Sequence, residues 1–316
     1  MTASTTPSEF PACLAIQAPA IQAPQANSDN TQWSIVPAEL PQDIAQAIPS
    51  DTSATARLTI DGVSSSLFYS PSKATISFIE ESESQPLSKL LSNSSVDQTL
   101  TSMDVFYLGG QPYLATYDTD SSYLNLYRIA ADYRLSSVHN QYVGSGYTMM
   151  HVLPYRDTTC VVLYNGTSGD CVKYQVSVPP YDGLSLQEVW SDSWAKTWGH
   201  FTFFDFGGEN FFLKINQQHE KVNIDHFMDD PDEGSHPVLS QNASQSMLNA
   251  RSLSGFEGAE GQAYFFVYEN NGDLSLNSIY PNCLGWWPLS NTQTIANAGC
   301  LHSISNGTST WLLLLK

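Results

Sequence analysis

Positive charge is the scarcest feature of this chain. Its 316 residues hold 12 Lys and Arg against 31 Asp and Glu, a formal net charge of −19. Such a field repels phosphate backbones and anionic headgroups and argues against a nucleic-acid partner. Long apolar runs are also missing: nothing approaches the roughly 18–20 residues that span a bilayer as a helix, so no membrane span is expected. Familiar catalytic signatures are absent as well. The sequence has no Gly-x-Ser-x-Gly elbow, no His-Glu-x-x-His pair, no phosphate-binding loop and no dinucleotide glycine fingerprint after a strand, and no cofactor is expected.

Cysteine is sparse, with Cys13, Cys160, Cys171, Cys283 and Cys300 and no Cys-x-x-Cys spacing, which disfavours thiolate zinc. Cys160 and Cys171 flank one hairpin turn and could face each other across it. A bond closing so short a loop would contribute about 3 kcal/mol. Cys283 and Cys300 bracket a join between two units, and Cys13 is the odd one. The run Asp229-Asp230-Pro231-Asp232-Glu233 lacks the alternating ligands and glycine of an EF-type loop and reads as a solvated acidic turn. No metal site is expected.

What is present is repetition. Residues 101–129 read as three short strands: an apolar-rich run to Gly109-Gly110, then Tyr113, Ala115 and Tyr117 in alternation, then LNLYRI after a polar turn. Period-two patterning punctuated by Gly, Asp and Ser is the hairpin signal. The unit recurs. Anchored on the residue ending each second strand, the copies fall at Tyr69, Tyr117, Tyr164, Ile215, Tyr268 and Leu315, at intervals of 48, 47, 51, 53 and 47 residues. A repeat of about 40–50 residues with several strands per unit marks a β-propeller. Weak fourth strands are expected at 133–139, 186–191 and 236–240, and 42–48 fits either a helical turn or an outer strand.

The sixth copy stops after two strands, and residues 31–40 resemble a third. The expected fold is therefore all-β: a six-bladed β-propeller over residues 31–316, its last blade closed by an N-terminal strand from 31–40 pairing with Trp311–Leu315. Residues 1–30, with Pro7, Pro11, Pro19 and Pro24, are expected to be a surface or disordered tail whose first 25 residues are dispensable. Met1–Asn30 has no basic start or apolar core, so it is not a signal peptide as it stands. Four Asn-x-Ser/Thr sequons, at Asn93, Asn165, Asn242 and Asn306, point to a secretory-pathway protein whose leader is not in this sequence, unless a Ser/Thr-rich surface has produced them by chance.

One polar constellation interrupts the apolar first strands. Arg57, Asp104, His151, His200, Arg251 and His302 stand near their starts in successive units. Counting back from the anchors, Asp104, His151 and His302 share an offset of 13; Arg57 is one residue off, and His200 and Arg251 are displaced by two and four. Buried unpaired, such groups would cost roughly several kcal/mol each, so they pair with neighbouring blades, meet water or meet a ligand. Trp198 lies just before His200 and is a candidate pocket wall, with Tyr147 and Met149 on a neighbouring loop.

In length, repeat period and sequons the chain resembles the fungal six-bladed propellers related to fucose-specific lectins. Within that group it is most similar to the cofactor-free hetero-Diels–Alderases of tropolone–sesquiterpenoid biosynthesis. No signature motif is shared, so no catalytic residue is carried over. The lectin relation implies a sugar site in each blade with a recurring polar set. This sequence instead varies its polar positions from blade to blade, which favours one asymmetric site at the channel mouth.

The enzyme relation implies that a hydroxymethyl-bearing polyketide loses water to a quinone methide, which adds to a humulene-type alkene. His151, His302 or Arg251 could supply the acid, with Asp104 setting the imidazole's tautomer. Arg57, His200, Trp198, Tyr147 and Met149 would hold the hydrophobic terpene and the polyketide. Glycans are the alternative ligands, and the oligomeric state is open.

Overall fold

Sheet order follows chain order almost throughout the computed structural model, which describes residues 12–17, 34–82, 84–96, 99–155, 158–179, 183–206, 208–258, 261–289, 293–295, 299–305 and 309–315. The chain enters through β1 (Ala12–Gln17), β2 (Ser34–Ala38) and the short helix α1 (Gln42–Ala47). Four meanders follow: β3 (Ala54–Ile60), β4 (Val63–Ser70), β5 (Thr75–Glu80) and β6 (Lys89–Ser95); then β7 (Ser102–Leu108), β8 (Gln111–Asp118), β9 (Tyr123–Ile129) and β10 (Leu135–Tyr142). Next come β11 (Met149–Pro154), β12 (Thr159–Tyr164), β13 (Asp170–Ser177) and β14 (Ser185–Ser193); then β15 (His200–Phe206), β16 (Glu209–Asn216), β17 (Lys221–Phe227) and β18 (Ser235–Asn242). After α2 (Gln245–Leu248), the fifth sheet holds β19 (Ala250–Glu257), β20 (Ala263–Glu269), β21 (Asp273–Ile279) and β22 (Trp286–Pro288), with β23 (Gln293–Thr294) also on β21. Finally β24 (Cys300–Ser305) and β25 (Thr310–Leu315) join β1 and β2 in the order β2-β1-β25-β24.

The molecule is all-β with a propeller arrangement, and every strand pair is antiparallel. Each second strand lies between two neighbouring sheets, so both its faces are buried. All of β12 (TCVVLY), β20 (AYFFVYE) and β25 (TWLLLL) is buried. That is why these strands read as continuous apolar runs rather than alternating ones. First and second strands join through tight turns at Asp61-Gly62 and Gly109-Gly110, where both central residues have positive φ, the primed geometry that matches strand twist.

The anchor tyrosines explain the repeat. Tyr69, Tyr117, Tyr164 and Tyr268 are fully buried, and each phenol reaches the connection into the next sheet. The Leu100 amide donates to the Tyr69 hydroxyl at 3.2 Å. The Tyr117, Tyr164 and Tyr268 hydroxyls donate to the carbonyls of Gly144 (2.9 Å), Ala195 (2.8 Å) and Ile295 (3.2 Å). One side chain thus fills the core with its ring and ties down the crossover with its oxygen.

The sheet that holds β24 and β25 is completed from the N-terminus, but through a different strand from the one expected. β25 pairs with β1, Cys13 opposite Leu313, and β2 pairs outside β1. Ser34–Ala38, the described strand of the expected stretch 31–40, therefore pairs with β1 and not with Trp311–Leu315, and residues 12–17 of the expected tail belong to the sheet; residues 31–33 lie outside the described residues. Pro37 gives the reason: a residue without an N–H fits the edge position of β2 and not the middle of a sheet. Pro11 and Pro19 flank β1 without interrupting it. The 42–48 ambiguity resolves as α1; the fourth strands β14 and β18 cover the expected 186–191 and 236–240, while β10 starts at Leu135, two residues into the expected 133–139.

The cysteine expectation fails on register. Cys160 lies opposite Gln175 and Cys171 opposite Tyr164, so the two do not face each other, and both are buried free thiols. Cys13 and Cys283 are also free and buried, while the side chain of Cys300 and all of Asn306 lie outside the described residues.

Candidate functional site

A one-residue slip along a strand turns a side chain to the other face, and this sorts the polar constellation. Met150 and Val152 pack towards the 102–142 sheet, whereas Met149, His151 and Leu153 face the 200–242 sheet. His302 likewise faces the 54–95 sheet. Arg57, one position out of step, turns back to meet it across the same seam. The constellation therefore divides among separate seams and does not form one ring of converging groups.

The seam between β24 and β3 holds a closed network. His302 Nε2 lies 3.0 Å from Ser66 Oγ, and Ser66 Oγ donates to Glu81 Oε1 at 2.8 Å. The serine proton is thereby committed to Glu81, so His302 Nε2–H is the donor to Ser66. Arg57 Nε donates to Glu81 Oε1 at 2.9 Å, and its Nη2 reaches Ser305 O at 3.0 Å. His302 packs edge-on against Phe68. Burial, reinforced by the Arg57 charge, pushes its pKa down to about 3. A histidine held neutral in this way is a strut between sheets and offers no acid near neutral pH.

The second cluster stands on β7 and β11. Asp104 Oδ2 lies 2.7 Å from His151 Nδ1 and accepts the Val152 amide at 2.9 Å; Oδ1 accepts the Val105 amide at 2.8 Å. The carboxylate is thus fixed by the backbone of both strands and holds the Nδ1–H tautomer of the imidazole. One face of the His151 ring stacks on Phe203 with centroids 3.6 Å apart. The pair is not sealed: the His151 and Asp104 side chains are 25% and 26% exposed. His151 Nε2 has no hydrogen-bond partner among the described residues, which leaves it available to an incoming group.

The other expected site residues lie elsewhere. His200 begins β15 half-buried, its pKa lowered by burial, with a Gln217 hydrogen bond opposing the shift. Arg251 is exposed beside a bulge in β19. Trp198 and Met149 are buried in the packing between the 149–193 and 200–242 sheets. Tyr147 packs edge-on against Tyr117, and burial pushes its hydroxyl up to about 12.

Two buried lysines in that same seam were missed by sequence reasoning. Lys214 Nζ contacts Asp225 Oδ2 at 2.7 Å and sits 4.2 Å and 4.8 Å from the Trp194 and Trp198 ring centroids. Lys173, with no exposure at all, donates to the Tyr155 hydroxyl at 3.1 Å and lies over the Tyr155 and Trp190 rings. Burial lowers the pKa of both lysines. The available signal was a single cation inside each apolar run, CVKYQV and FFLKIN.

No protein-family profile matches the chain, and no curated protein matches it in sequence. Solved structures do resemble it. A candidate 6-phosphogluconolactonase from Bacteroides fragilis aligns over 96% of this chain and 88% of its own at 12% identity, with a TM-score of 0.54. One from Bacteroides uniformis aligns over 94% and 87% at 14% identity, TM-score 0.53. An exo-β-1,3-galactanase from Phanerochaete chrysosporium covers 76% of this chain and 62% of its own at 10% identity, with a TM-score of 0.48. At such identities the first two support the propeller fold and nothing finer. Among the described residues, no helix is long and apolar enough to cross a membrane.

Proposed function

We propose that the six sheets close as a six-bladed propeller and that the protein is a cofactor-independent enzyme with one small-molecule site, served by His151 and Asp104 on the inner strands. The observation that carries this reading is the fixed Asp104 carboxylate on Nδ1 of a partly exposed imidazole whose Nε2 is unengaged. Such a pair, once Nε2 has taken up a proton, can deliver it to a departing hydroxyl and take one back, at a rate advantage of about 10²–10⁴. Phe203, stacked on the ring, supplies an apolar surface beside it.

The resemblance noted in the sequence gives the chemistry to test. With the ring as an imidazolium whose Nδ1–H is held by Asp104, His151 Nε2–H would protonate the hydroxyl of a hydroxymethyl tropolone; water would leave, the freed Nε2 would take the ring hydroxyl's proton, and the resulting quinone methide would add across a humulene alkene. That addition forms one C–O and one C–C bond and expels nothing. The protein's part in it is to hold the two partners together. Purified protein should be incubated with the tropolone precursor and humulene, and in parallel with a glycan panel. Accelerated adduct formation with one site per chain supports the enzyme reading. Several equivalent fucoside sites without turnover would restore the lectin alternative.

A further inference from the structure

We propose that Glu209, His226 and Asp229 form a site for a divalent first-row cation of the zinc or manganese kind, at the rim of the 200–242 sheet. The strands assemble it. Phe211 pairs with His226, so Glu209, two residues earlier on β16, shares the face of His226 on β17, and Asp229 follows directly on the turn after β17. One ligating atom from each residue lies within 4.8 Å of the others. His226 Nε2 is 3.3 Å from Glu209 Oε2, yet it is buried and makes no hydrogen bond.

A buried imidazole nitrogen without a hydrogen bond, 3.3 Å from one carboxylate and grouped with a second, is costly unless something lies between them. No lysine or arginine among the described residues pairs with Glu209 or Asp229. The Glu209 charge is felt by the thiol of Cys283 in the next sheet, which burial and this carboxylate together push up to about 11. The ring itself is held in place by Phe211, at a centroid distance of 4.6 Å, and edge-on by His236 at 5.4 Å. One imidazole with two carboxylates suits Zn²⁺ or Mn²⁺ better than Ca²⁺, which takes six to eight oxygens. The bound ion would pin the acidic turn 228–234 to the start of β16.

Tag-free protein, dialysed against chelator, should be titrated calorimetrically with Zn²⁺, Mn²⁺ and Ca²⁺, with Co²⁺ followed by visible absorption. The expected result is one Zn²⁺ or Mn²⁺ per chain, a melting temperature that rises with metal concentration, and affinity reduced by about tenfold or more in both Glu209→Gln and Asp229→Asn. These side chains are exposed enough for the variants to fold, and His226→Ala should abolish the Co²⁺ spectrum. Absence of saturable Zn²⁺ and Mn²⁺ binding up to about 1 mM, binding unaltered in the two carboxamide variants, or preference for Ca²⁺ would each overturn the proposal. The site and its test are independent of the reaction proposed above.

Discussion

His302→Gln should make the protein less sensitive to acid while preserving a donor towards Ser66 Oγ. His302 has a folded pKa of about 3 against an ordinary 6.5. Between those values the unfolded chain binds a proton that the folded chain refuses. Stability contributed by the neutral ring is therefore complete above about pH 6.5 and is lost as pH falls towards 3. From pH 7 to pH 5 the loss amounts to about 2 kcal/mol. Urea denaturation of wild type and variant at pH 7 and pH 5 measures it directly. His200 titrates in both proteins and cancels in the comparison. The variant should lose about 2 kcal/mol less than wild type over this interval, even if it starts lower at pH 7. Equal losses in the two proteins would refute the buried, neutral assignment and reopen an acid role for His302.

Three further outcomes follow from the packing. Tyr164→Phe strands the Ala195 carbonyl and the Trp198 amide, both held by the phenol, and should cost about 1–3 kcal/mol in chemical denaturation. Lys214→Met leaves Asp225 buried without its cation and should cost about 3–5 kcal/mol. The double change with Asp225→Leu should recover much of that loss, and no recovery would contradict the ion-pair reading. Deleting residues 1–20 removes β1 and exposes the edge of β25. The truncated chain should fail to give a cooperative melting transition.

The architecture was legible because it is periodic. Buried tyrosines at Tyr69, Tyr117, Tyr164 and Tyr268 recur in both spacing and duty, and a repeated physical task leaves a repeated letter in the sequence. The closing strand was less legible. Ala12–Gln17 is six residues between prolines, and its strand character comes from the edge that β25 offers and not from its own pattern. The site was only half legible. Shared offsets identified Asp104, His151 and His302 as equivalent, yet equivalent register does not mean a common destination. Asp104 and His151 meet because the backbone amides of Val105 and Val152 fix the carboxylate between them. His302 instead meets Ser66, and Arg57 reaches the same seam only because it is out of step. The buried lysines were not legible because the polar constellation was read along the first strands, whereas Lys214 lies on a second strand and Lys173 on a third.

The central claim is that His151, oriented by Asp104, acts on a bound small molecule. Single-turnover product formation from the tropolone precursor and humulene, compared among wild type, His151→Ala, Asp104→Asn and His302→Gln, tests it most directly. The account predicts a loss of about 10²-fold or more for His151→Ala, a smaller loss for Asp104→Asn, and near-normal rates for His302→Gln. Undiminished turnover in a folded His151→Ala protein, or no acceleration by wild type, would contradict it.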